Sequence, residues 1–163
     1  SVLGQQDLTA FGESFDVSQS GGVLIATAEY NQQAPQVLVY RKLNDRYVFS
    51  QAIESLTSAD ESYAENISIS NDGKTIAVSA STNDDVASNN GAVYIYTQTN
   101  GEFVLSQTLY GRLRTANTGF GKKVSFGNET LAIVSRGTGA SGTVSIYELI
   151  SDKYIFAKDY NYA

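Results

Sequence analysis

One pattern occurs three times along the 163 residues, and it constrains the fold more than any single motif. Each copy opens with an aromatic and a small residue: Phe11-Gly12, Tyr63-Ala64 and Phe120-Gly121. A short alternating stretch follows at 14–18, 66–70 and 123–126. Next comes a turn built on Gly21-Gly22, Asn71-Asp72-Gly73 or Gly127-Asn128, and then a nearly continuous apolar run at 23–26, 75–78 and 131–134. After a polar loop of variable length, a third run ends in Tyr40, Tyr96 or Tyr147, which are 56 and 51 residues apart. A fourth run, at 47–51, 103–107 and 154–158, closes each copy.

Each repeat therefore offers four short segments rich in β-branched and aromatic residues, divided by Gly, Asn and Asp. They read as strands joined in hairpins. Asn71-Asp72-Gly73 and Asn100-Gly101 supply residues that tolerate the positive φ of tight turns. The second and third runs are apolar at consecutive positions, which predicts strands buried on both faces, as in a sheet held between two others. Four-stranded meanders stacked at a period of about 40 to 50 residues are propeller blades. The expected fold is all-β and propeller-like: one domain over 1–163, with four-stranded antiparallel blades at about 10–54, 62–109 and 119–159. Three blades leave the ring partial unless oligomerisation completes it. The stretch 58–66 is the one candidate for a helical turn.

Residues that are absent narrow the chemistry. There is no Cys, His, Met or Trp, which excludes thiol catalysis, disulfides, His-dependent triads and Cys/His zinc sites. A net charge of -6 disfavours a phosphate backbone, so no nucleic-acid partner is expected. No apolar run approaches the roughly 18 to 20 residues that span a bilayer, so no membrane insertion is expected. The thiol-free, polar composition suits an extracellular, cell-surface or virion setting.

Phe11-Gly12-Glu13-Ser14 and Phe120-Gly121-Lys122-Lys123, each followed by a hydrophobic run and a strand ending in Tyr, resemble FG-GAP repeats, those of the integrin α-subunit type of β-propeller. The resemblance runs from about Ala10 to Ala157 and implies a propeller used as a binding or scaffolding surface. It departs from the family in two places. Ala26-Thr27-Ala28, Val78-Ser79-Ala80 and Val134-Ser135-Arg136 replace the "GAP" segment. The loops that bind calcium in other members shrink here to 18–22, 70–74 and 126–130, too short for six or more oxygen ligands. Neither calcium nor any other cofactor is expected.

The candidate binding residues lie in loops. Asn83-Asp84-Asp85 and Asn89-Asn90-Gly91 fall between the second and third strands of the middle repeat, where Asx residues make local turns or offer oxygens to a hard cation. Tyr30, Tyr63, Tyr110, Tyr160 and Tyr162 fall outside the predicted strands. Loop-tip aromatics stack on sugars or fill partner pockets, although Tyr63, standing where the other repeats have Phe, reads as blade packing. Carboxylate pairs such as Glu61 with Glu65, or Asp84 with Asp85, are the raw material of a glycosidase but read as surface charge.

Charge is uneven. Residues 1–61 carry 3 basic and 8 acidic groups, residues 62–110 carry 1 and 5, and residues 111–163 carry 7 and 4. Arg112, Arg114, Lys122, Lys123 and Arg136 put basic residues on an acidic protein, either as scattered solvated charge or as a docking face. Tyr30, Asp84, Asp85 and Tyr110, with Arg112, Arg114, Lys122 and Lys123 of these, form the candidate binding set. The expected function is a non-catalytic scaffold for protein assembly, self-association included, or for surface attachment. The alternatives are a glycan- or receptor-binding adhesin that uses loops 28–36, 80–92 and 110–118, and a propeller-type carbohydrate hydrolase.

Overall fold

The computed structural model describes residues 8–30, 34–56, 62–136 and 141–162. They form twelve strands in three four-stranded antiparallel meanders, with no helix among the described residues. Sheet 1 comprises β1 (Leu8–Val17), β2 (Val23–Tyr30), β3 (Gln36–Leu43) and β4 (Arg46–Glu54). Sheet 2 comprises β5 (Tyr63–Ile69), β6 (Thr75–Ala80), β7 (Ala92–Thr99) and β8 (Glu102–Tyr110). Sheet 3 comprises β9 (Lys123–Phe126), β10 (Thr130–Arg136), β11 (Gly142–Ile150) and β12 (Lys153–Tyr162). The first strands β1, β5 and β9 lie side by side, so the sheets radiate from them as blades, and the ring is not closed.

The small residue of the opening pair has a backbone reason. Gly12, Ala64 and Gly121 all take positive φ, at 75°, 62° and 93°. The register of β1 against β2 slips between Phe11 and Phe15, and that of β5 against β6 slips between Tyr63 and Ile67. The left-handed residue, set in a bulge in sheets 1 and 2, redirects the aromatic ahead of it, and Tyr63 and Phe120 are buried in the seams with the preceding blades. Tight turns at Asn44-Asp45, Asn100-Gly101 and Ser151-Asp152 each hold two residues at positive φ. At Asn71-Asp72-Gly73 only Gly73 does so, and Asp72 Oδ1 braces the loop by accepting from Ser70 Oγ at 2.6 Å.

Burial follows position in the stack. β6 and β7 of the central blade are buried almost throughout, as expected. β10 instead alternates, because no fourth blade among the described residues covers the far side of sheet 3. Two apolar seams hold the blades together. Val23, Ile25, Val37, Val39 and Ile53 of sheet 1 meet Ile67, Ile69, Ile76 and Val78 of sheet 2. Ala77, Val93, Ile95 and Leu109 meet Phe120, Leu131 and Ile133 of sheet 3.

Each seam also carries the same amide clasp on its outer edge. Gln51 Nε2 donates to Phe103 O at 2.8 Å while its Oε1 accepts from Phe103 N at 2.8 Å. Gln107 does the same to Tyr154, at 2.9 and 3.0 Å. On the inner edge, Asp16 Oδ2 accepts from Ile69 N at 2.9 Å, and Ser68 Oγ from Phe126 N at 3.1 Å.

Several sequence expectations change. Tyr30 and Tyr110 end β2 and β8, Tyr63 opens β5, and Tyr160 and Tyr162 lie in β12, so all five are strand residues. The outer strands run further than their apolar segments because backbone pairing continues: Tyr110 pairs with Ala92 and Tyr162 with Gly142. Of the candidate helical turn, 63–66 belong to β5 and 57–61 lie outside the described residues, as does Glu61.

The recurring tyrosines set an alkaline limit on stability. Burial raises the hydroxyls of Tyr40, Tyr96 and Tyr147 above the usual 10, and Tyr147, with Asp159 nearby, is pushed up to about 12. The folded state therefore holds these protons more tightly than the unfolded chain, which releases them near pH 10. Their stabilisation is intact below about pH 10 and is lost as pH rises towards 12. Melting temperatures from circular dichroism should hold steady up to pH 10 and then fall steeply, with absorbance at 295 nm rising alongside unfolding. Full tyrosine ionisation at pH 10.5 in a still-folded chain would contradict this.

Candidate binding site

The middle blade's 81–91 loop receives the next blade. Asn117 N, Gly119 N and Phe120 N donate to the carbonyls of Ser88, Asn89 and Asn90 at 2.8 to 3.0 Å. Fully buried Asn90 donates through Nδ2 to Leu113 O and Thr115 O, both at 2.8 Å, and so fixes the 111–118 connection from below. Asn83 is also buried. The loop read from sequence as a turn or cation site is a docking rail between blades. Asp84 Oδ1 accepts from Asn89 N at 2.6 Å, closing the loop on itself. Asp85 Oδ2 accepts from Tyr110 Oη at 3.1 Å. Burial, then the bond and charge of Asp85, push the Tyr110 hydroxyl up. Among the described residues no three acidic side chains gather to hold a metal ion.

Beneath the 111–118 connection lies a polar cleft of about 670 Å3. Arg112 and Arg136 flank it, and Thr118, Ser145, Asp159 and Asn161 line it. Arg112 stacks over Phe156, its guanidinium carbon 4.3 Å from the ring centre, and reaches Asp159 Oδ2 at 3.5 Å. Asp159 Oδ1 accepts from Ser145 Oγ at 2.7 Å. Hydroxyls, an amide and a charged pair in one cavity are the groups that recognise a polyhydroxylated or anionic ligand.

A second cleft of about 400 Å3 opens between sheets 1 and 2 at their inner strands, lined by Glu13, Glu29, Glu65, Tyr63 and Lys122. Lys122 Nζ donates to Glu65 Oε1, and Ser81 Oγ donates to Glu65 Oε2 at 2.7 Å. Burial alone would raise the Glu65 carboxyl. These two bonds and the charges of Lys122 and Lys123 outweigh it and hold the group below its usual range. Lys123 Nζ donates to Asn66 Oδ1 at 2.8 Å.

The candidate residues thus separate into groups. Asp85 and Tyr110 meet, with the Arg114 charge near enough to lower the Tyr110 hydroxyl slightly against the larger upward causes. Arg112 belongs to the polar cleft. Lys122 and Lys123 lie on the inner-strand side, bonded to sheet 2. Tyr30 is half-buried at the end of β2. Glu13 was not a sequence candidate, yet it shares its repeat position with Glu65 and Lys122, two residues after each opening aromatic. Alignment of the copies alone puts Glu13 in β1, Glu65 in β5 and Lys122 directly before β9.

The three opening aromatics, the left-handed residue behind each and the recurring seams define one repeating unit, and the comparison with known families finds a match in the middle copy. Residues 55–96 match the FG-GAP repeat family. The matched span covers β5 and β6 and reaches Tyr96 in β7, so it takes in the Tyr63-Ala64 pair that departs most from the FG motif. No curated protein matches the chain. Among 23 matching solved chains is a crystal structure from Bacteroides uniformis of a protein provisionally named a 6-phosphogluconolactonase. It is 16% identical, with a TM-score of 0.59 over 88% of this chain and 38% of that one. The chain thus spans well under half of that structure's length. A likeness at this identity is one of fold, and the fold is of the β-propeller type.

Proposed function

We propose that this chain is a non-catalytic propeller scaffold that works by presenting surfaces to a protein partner. One observation carries the reading. Phe11, Phe15, Val17, Tyr47 and Phe49 are all exposed on sheet 1. Single exposed apolar residues are ordinary, but five large ones on one blade make a contact surface. The FG-GAP match supports a scaffold, and an extracellular, cell-surface or virion location belongs to the same proposal. No helix among the described residues is long and apolar enough to cross a membrane.

The name of the solved relative raises the hydrolase alternative. The inner cleft argues against it. A general acid needs a carboxyl that holds its proton near neutral pH, whereas Glu65 is ion-paired and shifted the other way. Purified protein should give no turnover of lactones or glycosides above background. Turnover that disappears in Glu65→Gln would overturn the scaffold reading.

The polar cleft favours a second reading, a glycan- or receptor-binding adhesin. In that case Arg112→Ala should abolish retention on a glycan array and leave the melting transition within a few degrees. Equal retention by both proteins would remove the cleft from the reading.

A further inference from the structure

At both seams the incoming blade brings the same side chains. The opening aromatic packs onto the previous sheet: Tyr63 is 1% exposed and Phe120 0%. The aromatic that starts the fourth strand, Phe103 or Tyr154, is buried beside it and clasped by Gln51 or Gln107. Sheet 1 repeats this arrangement with no other blade of the described residues against it. Phe11 is 56% exposed, Phe15 is 70% exposed, and Tyr47, at the place of Phe103 and Tyr154, is exposed as well.

The receiving side recurs too. Val37 pairs with Ile53, and Val93 with Leu109, to make the stripe that accepts the next blade. In sheet 3, Val144 pairs with Tyr160 at the same register, beside Ile146, and both members are exposed. Gly142 stands where Gly91 admits Phe120, and a Cβ there would meet only Ser135 O, at 3.6 Å.

We infer that the open face of sheet 1 is covered by the far face of sheet 3 from a second copy, and that two copies joined head to tail close a six-blade ring. This rests on the scaffold reading above and names its partner. Six blades fall within the 4 to 8 at which propellers close, and a contact between unlike surfaces closes on two copies when both seams form. Charge favours the pairing. Within the chain, Glu65 of one blade meets Lys122 of the next. At the seam between copies the same two positions hold Lys122 and Glu13, again opposite in sign. The clasp is weaker there. Lys158 takes the place of Gln51 and Gln107, and an ammonium donates to a carbonyl but accepts nothing from the facing N–H. The two seams between copies therefore open more readily than those within each chain.

Native mass spectrometry and light scattering at micromolar concentration and low salt should report twice the 17.5 kDa chain mass. Phe15→Asp and Val144→Asp should each raise the dissociation constant about 100-fold or more, because each places a charge in an apolar seam, while the far-UV spectrum stays native. An equimolar mixture of the two variants should associate more tightly than either alone, as an open dimer, because one of its two seams carries neither substitution. Should Val144→Asp lose its native spectrum, Tyr160→Asp probes the same face. A wild-type monomer, another stoichiometry, a Val144→Asp dimer as tight as wild type, or no tighter association on mixing would each overturn the proposal. Any of these would leave the hydrolysis test of the scaffold reading untouched.

Discussion

Gly91→Ala is expected to unfold the chain or cost about 4 kcal/mol or more, the range reserved for gross steric conflict. A Cβ at Gly91 would lie 2.2 Å from Phe120 O and 2.6 Å from Phe120 N. Both are backbone atoms, and neither can rotate aside. Phe120 N is already committed to Asn90 O at 2.9 Å, so relief requires pulling the third blade's entry strand off the second blade. Gly101→Ala is the control: it has a similar positive φ but nothing within 4 Å. It should cost only the left-handed strain of roughly 1–2 kcal/mol. Urea midpoints separate the two. Equal losses would mean that backbone conformation, and not the contact with Phe120, sets the requirement at Gly91.

Tyr63→Ala should cost about 3–5 kcal/mol, the usual penalty for truncating a fully buried aromatic. Tyr63 fills the first seam among Val37, Ile53 and Ala80, and its hydroxyl lies 3.0 Å from that of Tyr96. Tyr63→Phe keeps the ring and should lose only about 1 kcal/mol. Phe11→Ala at the equivalent position should change the stability of the dissociated chain by no more than about 0.5 kcal/mol, because Phe11 packs against no blade within its own chain. The difference between Tyr63 and Phe11 thus measures what a neighbouring blade contributes at this position. A Phe11→Ala loss comparable to that of Tyr63→Ala would show that burial in a seam is not what gives the aromatic its effect.

The repeat determined the strands. Period-two patterning, turn residues at fixed places and the Tyr40, Tyr96 and Tyr147 spacing depend only on local chemistry, so four strands per copy could be read directly. The glutamine clasp was also written there, since Gln51 and Gln107 align, but a polar residue on an outer strand looks like solvent-facing decoration until the next blade's backbone is placed against it. In the 81–91 loop the local Asx turns were legible, Asp85 N to Asn83 Oδ1 and Asn89 N to Asp84 Oδ1, but the burial of Asn83 and Asn90 was not, for the same reason. Asn and Asp make turns and bind cations with the same oxygens, and only the position of 117–120 makes this loop a rail. The basic residues 112–123 are neighbours in sequence, yet a hinge between blades sends Arg112 to Asp159 and Lys122 to Glu65, so one apparent patch becomes two sites. Sequence decided what each blade is, because hydrogen bonding and side-chain alternation act over a few residues. Tertiary structure decided which faces are covered and which charges are paired, because those depend on blades some 50 residues apart in the chain coming into contact.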